Sequence, residues 1–158
     1  MTINGLPLHP LIVHAVVVLV PASALVGLVY AWREKWRDVL RIPLLLGILA
    51  GPLVWLAARS GTDLKHALNV DNAAIAVHET WADRLEIACW VMSAVWVVSW
   101  WALPFASRLR AGVTRTGHGV AVDVTLRVLL VLTALATLYL AYRTGDAGAK
   151  AVWDGVGS

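Results

Sequence analysis

The residues of this chain best suited to carry chemistry are the histidines near its start. His9 and His14 enclose Pro10-Leu11-Ile12-Val13, and residues 13–31 contain no Asp, Glu, Lys or Arg. An ionisable group at the edge of such an apolar stretch is costly in lipid and usually marks a functional site. The first question is therefore which other residues the fold brings to the same place as His14.

The composition is that of a membrane protein. Of 158 residues, 59% are hydrophobic and nine are Trp, which is outside the range of soluble domains. The net charge of +3 is concentrated in two loops, so it indicates membrane topology and not nucleic-acid binding. The lone Cys89 excludes an intramolecular disulfide and any cysteine-based metal site.

Four apolar segments predict an all-α, integral membrane four-helix bundle that forms one domain over residues 1–158. The spans are expected at about 11–32, 40–58, 85–106 and 124–142. Pro10 suits the first turn of a helix, where its missing N–H has no partner anyway. His9 is then expected just outside the first helix and His14 one turn inside it.

The remaining segments are expected to be loops, caps and packing sites. Gly47 and Gly51 form a small-xxx-small pair in the second span, which permits close helix approach. Residues 60–63, Ser-Gly-Thr-Asp, are expected to end that helix. Asp71 is the predicted N-cap of a third helix that starts outside the bilayer at about residue 72. Residues 143–158 are expected to be a polar tail.

Lysines and arginines predict the orientation. The first and third loops contain seven of the 13, at positions 33, 35, 37, 41, 108, 110 and 115, and Arg127 lies beside the third loop. By the positive-inside rule these loops are cytoplasmic. Both termini and the second loop are then extracytoplasmic, in a bacterial cytoplasmic (inner) membrane.

Four consecutive spans bring four histidines to one side of the membrane. These are His9, His14, His66 and His78, while His118 lies on the other side. No chemical role is expected for His66 or His118, and His9 is expected to cap the helix or to support another imidazole.

His14 and His78 are predicted to face the interior of the bundle from separate helices. His14 shares a helical stripe with Val18 and Leu25, and His78 shares one with Leu85. Two such imidazoles are the arrangement that a haem iron needs for its axial ligands. His78 lies about two turns above Leu85, roughly 10 Å by the helical rise. A haem must therefore bridge a difference in depth between the two histidines.

Three hypotheses follow from the residues. The first is electron transfer through haem b, held by His14 and His78 with His9 nearby. The second is a non-haem site for copper or zinc, in which Glu79 or Asp83 joins the three histidines. The third is a structural or accessory subunit without a cofactor, in which the acidic stripe with Glu79 is a solvated helix face. Glu79 is also a candidate to orient His78.

No sequence motif indicates a stand-alone enzyme. A nucleophile elbow, a P-loop, a dinucleotide fingerprint, HExxH, CxxC and CxxCH are all missing from the sequence. An electron carrier or accessory protein fits better, with the lipid bilayer, a redox partner protein or quinone, and a second copy of the chain as candidate partners.

The start of the chain resembles a known family. Residues 5–14 carry HPxxVH, which is similar to the opening of small four-span bacterial membrane proteins of unknown function. His78 is similar to a histidine that precedes their third span, and residues 145–157 resemble their glycine-rich end, GxxGxxxVYxHGVG. Here Trp153 replaces the tyrosine and Asp154 the histidine, which argues against a ligand from the tail. Relatives fused to Rieske or cytochrome modules imply a redox role through b-type haem.

Overall fold

The protein is described from a computed structural model that defines residues 2–3, 5–103 and 119–153. Its helices are α1 (Leu8–Trp32), α2 (Arg37–Gly47), α3 (Ala50–Leu68), α4 (Ala73–Ala102) and α5 (Gly119–Trp153). A 3₁₀ turn, Glu34–Trp36, joins α1 to α2. A short antiparallel hairpin of β1 (Thr2–Ile3) and β2 (Leu6–Pro7) precedes α1. The end of the predicted third span, residues 104–106, and also His118 and Asp154 lie outside the described residues.

Helix α1 begins at Leu8, earlier than expected. Pro10 is the third residue of the helix, and its missing N–H falls among the first four amides, which have no partner within a helix. His9 therefore lies in the first helical turn and not outside it. Its side-chain direction is fixed by the helix, which matters for the site described below.

The second span is made of two helices with a break between them. Around the break, the amides of Ile48 and Leu49 bond carbonyls three residues back, at 3.1 Å each. Pro52 explains the break, because it has no N–H to donate to the carbonyl oxygen of Ile48. The Ser93 hydroxyl of α4 donates to that oxygen at 3.3 Å, so a neighbouring helix replaces the missing bond.

Helix α3 continues through residues 60–63, so the predicted break there is wrong. It ends at Leu68, where Asn69 adopts a left-handed conformation with φ of 50°, a common helix terminator. Ser60 is buried, and its hydroxyl donates to the carbonyl oxygen of Ala57 at 2.9 Å. Tertiary packing thus outweighs the weak helix propensity of this segment.

The start of α4 and the end of α5 also differ from expectation. Asn72, not Asp71, caps α4, and its side-chain oxygen accepts from the amide of Ile75 at 2.9 Å. Asp71 instead pairs with Lys65 at 3.2 Å. Helix α5 runs to Trp153, so most of the predicted polar tail is helical.

The helices form a closed bundle with a defined order. Helix α1 packs against α3 and α5, and α4 packs against the same two helices. Helices α1 and α4 therefore occupy diagonal positions, facing each other across the bundle axis. The start of α1, the end of α3, the start of α4 and the end of α5 meet at one end, called here the histidine end. The opposite end is called the arginine end.

The bundle core is built around Trp96 of α4, which is fully buried. A Cβ atom on Gly47 would lie 1.6 Å from its ring, and one on Gly27 would lie 2.7 Å from it. The two glycines therefore hold the indole between α1 and α2. Gly51 faces a different ring, that of Trp90.

The outer surface is apolar, as a lipid environment requires. Exposed residues include Val17, Val18, Leu19, Leu25, Val91, Val98, Leu132 and Leu135. Within the described residues, four helical segments are long and apolar enough to cross a membrane, with α2 and α3 counted as one. The predicted all-α, integral membrane four-helix bundle is confirmed.

Candidate functional site

The first histidine of the candidate site, His9, is fixed by contacts with α3. Its Nδ1 lies 2.9 Å from the carbonyl oxygen of Ala57 and 3.3 Å from the Ser60 hydroxyl. A carbonyl oxygen only accepts hydrogen bonds, so Nδ1 donates its proton to it. In the neutral imidazole, Nε2 is then the nitrogen with a free electron pair. Gly61 lies against the ring, because a Cβ there would be 2.9 Å from Cε1 of His9.

The second histidine, His78, has the same kind of environment on the other side of the bundle. Its Nδ1 lies 3.0 Å from the carbonyl oxygen of Thr144 on α5, so Nδ1 donates and Nε2 keeps its electron pair. The ring lies against Gly148, where a Cβ would be 3.0 Å from Cε1 of His78. Both histidines are half-buried. Each ring is therefore held by one carbonyl and one glycine of a neighbouring helix.

His9 and His78 share the histidine end. They come from the diagonal helices α1 and α4, whose first turns both lie at that end. Two half-buried imidazoles whose Nε2 atoms each keep an electron pair are candidate ligands for a metal centre.

His14 does not belong to this pair. It is exposed on the outer surface of α1, and its Nδ1 bonds the carbonyl oxygen of Pro10 in its own helix. Val18 and Leu25 of the same stripe are 65% and 54% exposed. The prediction that His14 faces the interior of the bundle is therefore wrong. His9, the third histidine predicted for the site, has the interior position instead.

The acidic residues are engaged elsewhere or lie apart. Glu79 accepts from Lys65 at 3.0 Å. The expectation that Glu79 orients His78 is wrong, because Nδ1 of His78 donates to the carbonyl oxygen of Thr144 instead. His66 is exposed on α3. Within residues 5–103 and 119–153, no three His, Cys, Asp or Glu side chains converge as a metal-binding group. The three-histidine metal site that includes a carboxylate is therefore without support in this part of the chain.

The arginine end carries a partly buried group of charged residues instead of a histidine site. Arg37 is fully buried, and its Nε donates to the carbonyl oxygen of Tyr30 at 3.2 Å. Arg127 of α5 pairs with Asp123 at 2.7 Å and with Glu34. This network ties the turn after α1 to α5, so its clearest role is structural.

Comparison with family models identifies the chain. The model of a family described as "Predicted membrane protein (DUF2231)" matches residues 5–158. The chain belongs to the DUF2231 family. Comparisons with curated proteins and with solved structures found no match. The resemblance predicted from HPxxVH and the glycine-rich end is thereby confirmed.

The glycine-rich end of this DUF2231 protein lies beside the candidate site. Gly145 and Gly148 are the first two glycines of the GxxGxxxVY-like segment. Both are helical, and Gly148 is the one that faces His78. Sequence reasoning treated this segment as a tail and missed its contact with the imidazole. The spacing of the two glycines, close to one helical turn, was the signal that could have placed them on one helix face.

Proposed function

We propose that this DUF2231 protein transfers electrons within the membrane through a b-type haem. His9 and His78 would be the axial ligands, and the site would lie at the extracytoplasmic end of the bundle. One observation carries the proposal. Two imidazoles from diagonal helices share one end of the bundle, and each donates Nδ1–H to a backbone carbonyl.

The hydrogen bonds support ligation by Nε2. A histidine that binds a metal through one ring nitrogen almost always donates a hydrogen bond from the other, which fixes its tautomer and orientation. Ala57 and Thr144 supply the accepting oxygens, and they belong to helices other than those of the histidines. Each imidazole is thus fixed in direction before any ligand binds.

The diagonal positions of α1 and α4 support a shared group. Two axial ligands must approach an iron from opposite sides, and ligands on facing helices of a bundle meet that requirement. Pairing His78 with His9 also reduces the difference in membrane depth that separates His14 from His78. His9 precedes His14 by five residues, so it lies about 7.5 Å nearer the histidine end by the helical rise.

The chemistry supplied by such a haem is one-electron transfer. His9 and His78 would hold the haem from two sides, and a haem held in this way would serve electron transfer and not oxygen activation. The role of this chain would be to hold both imidazoles in fixed orientation, each by a hydrogen bond to a backbone carbonyl. A membrane quinone or a redox protein is the expected electron donor or acceptor.

The orientation proposed for this site follows from the charged loops. The first loop lies at the arginine end, where α4 also ends and α5 begins, and the sequence of the third loop, which is outside the described residues, contains three further arginines. The positive-inside rule places that end in the cytoplasm of a bacterium. The histidine end and both termini would then face the extracytoplasmic side of the inner membrane.

The optical spectrum of the purified protein tests the proposal. The full chain is expressed with added haem precursor and purified in detergent, and its reduced-minus-oxidised spectrum is recorded. We expect the sharp bands of a low-spin, six-coordinate b-type haem. His9→Ala and His78→Ala are expected to lose the haem or to leave it five-coordinate, while His14→Ala and His66→Ala keep the wild-type spectrum.

Circular dichroism of each variant provides the control for folding. A colourless wild-type protein would contradict haem binding, and elemental analysis of the same sample would then reveal any copper or zinc. An unchanged low-spin spectrum in folded His9→Ala and His78→Ala would show that the ligands are other residues. Loss of haem in His14→Ala alone would identify the exposed His14 as the haem ligand.

A further inference from the structure

Two arginines at the histidine end pack against the same indole ring. The guanidinium carbon of Arg143, on α5, lies 4.1 Å from the ring centroid of Trp81 on α4. That of Arg84 lies 4.7 Å from the same centroid. Arg143 also donates a hydrogen bond to the Tyr139 hydroxyl at 3.1 Å, and Tyr139 meets the Trp81 ring edge-on with centroids 6.4 Å apart.

These two guanidinium groups have no carboxylate partner among the residues that the structure describes. Other cations of the bundle do have one, since Lys65 pairs with two carboxylates and Arg127 pairs with two. A cation–π contact alone stabilises a solvent-accessible arginine only weakly. Two like charges beside one ring repel each other, so the pair favours a negatively charged ligand.

Arg84 and Arg143 lie at the level expected for the lipid headgroups. Trp and Tyr are enriched where the hydrocarbon core meets the headgroup layer. Tyr139 is 54% exposed on the outer surface, and Arg84 is exposed as well. An anion at this place would approach from the surrounding lipid and not from the bundle interior.

We propose that Arg84 and Arg143 bind the phosphate of an anionic phospholipid in the leaflet at the histidine end. Both guanidinium carbons lie within 5 Å of one centroid, so they are at most about 9 Å apart. A phosphate accepts hydrogen bonds of about 2.8 Å from guanidinium groups, so one phosphate can contact both arginines within that limit. Trp81 holds the two planar groups in place, which a flexible lysine would not allow. The proposal is independent of haem binding.

Native mass spectrometry of the full chain in detergent tests this proposal. The probes are palmitoyl-oleoyl phosphatidylglycerol and the zwitterionic phosphatidylcholine with the same acyl chains, added at equal concentration. We expect the wild type to retain phosphatidylglycerol in preference to phosphatidylcholine. Arg84→Gln and Arg143→Gln should each reduce that preference about fivefold, as expected for loss of one arginine near a charged lipid surface.

Arg59→Gln is the matched control. Arg59 packs on Trp55 at the same end, 5.3 Å from its ring centroid, and among the described residues no second arginine packs on that ring. This variant should keep the wild-type preference. If a glutamine variant fails to fold, the lysine variants Arg84→Lys and Arg143→Lys, which keep the charge and lose the planar fork, should weaken lipid retention instead.

Three outcomes would overturn the proposal. The first is equal retention of the two lipids by the wild type. The second is an undiminished preference in the folded Arg84→Gln and Arg143→Gln variants. The third is displacement of phosphatidylglycerol by millimolar inorganic phosphate that stabilises the protein as much as the lipid does. That result would assign the site to a free phosphate ion and not to a lipid.

Discussion

The imidazole of His78 on α4 donates its Nδ1 proton to the carbonyl oxygen of Thr144 on α5, over 3.0 Å. This bond joins a candidate functional residue to a helix segment rich in small residues. Gly148 lies one turn beyond Thr144 and faces the same ring. The end of α5 therefore does more than complete the bundle, because it sets the direction of the His78 side chain.

Replacing Gly148 tests that relationship, and Gly145 provides the control. Both glycines are helical, so alanine at either site gains about 0.5–1 kcal/mol of helix stability. Gly145 has open space around its Cβ position, whereas a Cβ on Gly148 would lie 3.0 Å from the His78 ring. We expect Gly145→Ala to raise the free energy of unfolding and Gly148→Ala to fail to do so. Thermal unfolding in detergent measures the difference, and equal gains at both sites would contradict the contact.

Gly47 is predicted to be the least replaceable glycine of the second span. A Cβ there would lie 1.6 Å from the buried Trp96 ring, whereas one on Gly51 would lie 2.9 Å from Trp90, which is 46% exposed and has room to move. Overpacking in a filled core costs about 1–3 kcal/mol or more. Gly47→Ala should therefore lower the unfolding temperature far more than Gly51→Ala.

A second substitution shows whether the cost at Gly47 comes from the indole. Adding Trp96→Leu removes the ring that meets the new methyl group. The two substitutions together should cost less than the sum of their separate effects, as measured by a double-mutant cycle. Additive losses would mean that Gly47 is required for another reason.

The bond between Ser93 and the carbonyl oxygen of Ile48 should stabilise the break in the second span. Ser93→Ala leaves the partly buried carbonyl oxygen of Ile48 without this donor, at a cost of about 1 kcal/mol. In a Pro52→Ala background the restored amide can supply the bond, so Ser93→Ala should cost less there. Thr133→Ala is the control, because its hydroxyl only adds to a bond within its own helix. Equal costs in both backgrounds would exclude the proposed compensation.

The orientation of the bundle is tested by cysteine labelling on a background without Cys89. Lys35 lies at the arginine end and Val70 at the histidine end, and both are exposed. Because the first loop is rich in lysine and arginine, we expect a membrane-impermeant reagent added outside intact cells to label Val70→Cys and to spare Lys35→Cys. The reverse pattern would invert the orientation, and disrupted cells provide the control in which both sites react.

The sequence was sufficient to predict the number of spans, the all-α architecture and the convergence of several histidines at one end. Span number follows from the length of each apolar run, because about 20 residues are needed to cross the hydrocarbon. The shared end of His9 and His78 then follows from counting spans. Neither inference requires knowledge of how the helices pack.

The direction of each histidine was decided only by the tertiary structure. Helix α1 is apolar on all sides, and lipid tails are as apolar as a bundle core, so hydrophobic periodicity does not distinguish the face with His14 from the face with His9. The contacts of His9 with Ala57 and Gly61 on α3 make that distinction. Tertiary contacts likewise keep Gly61 and Gly148 within helices, where local propensity predicted a break and a tail. The low helix propensity of these two glycines is outweighed because each one leaves space for an imidazole ring of a neighbouring helix.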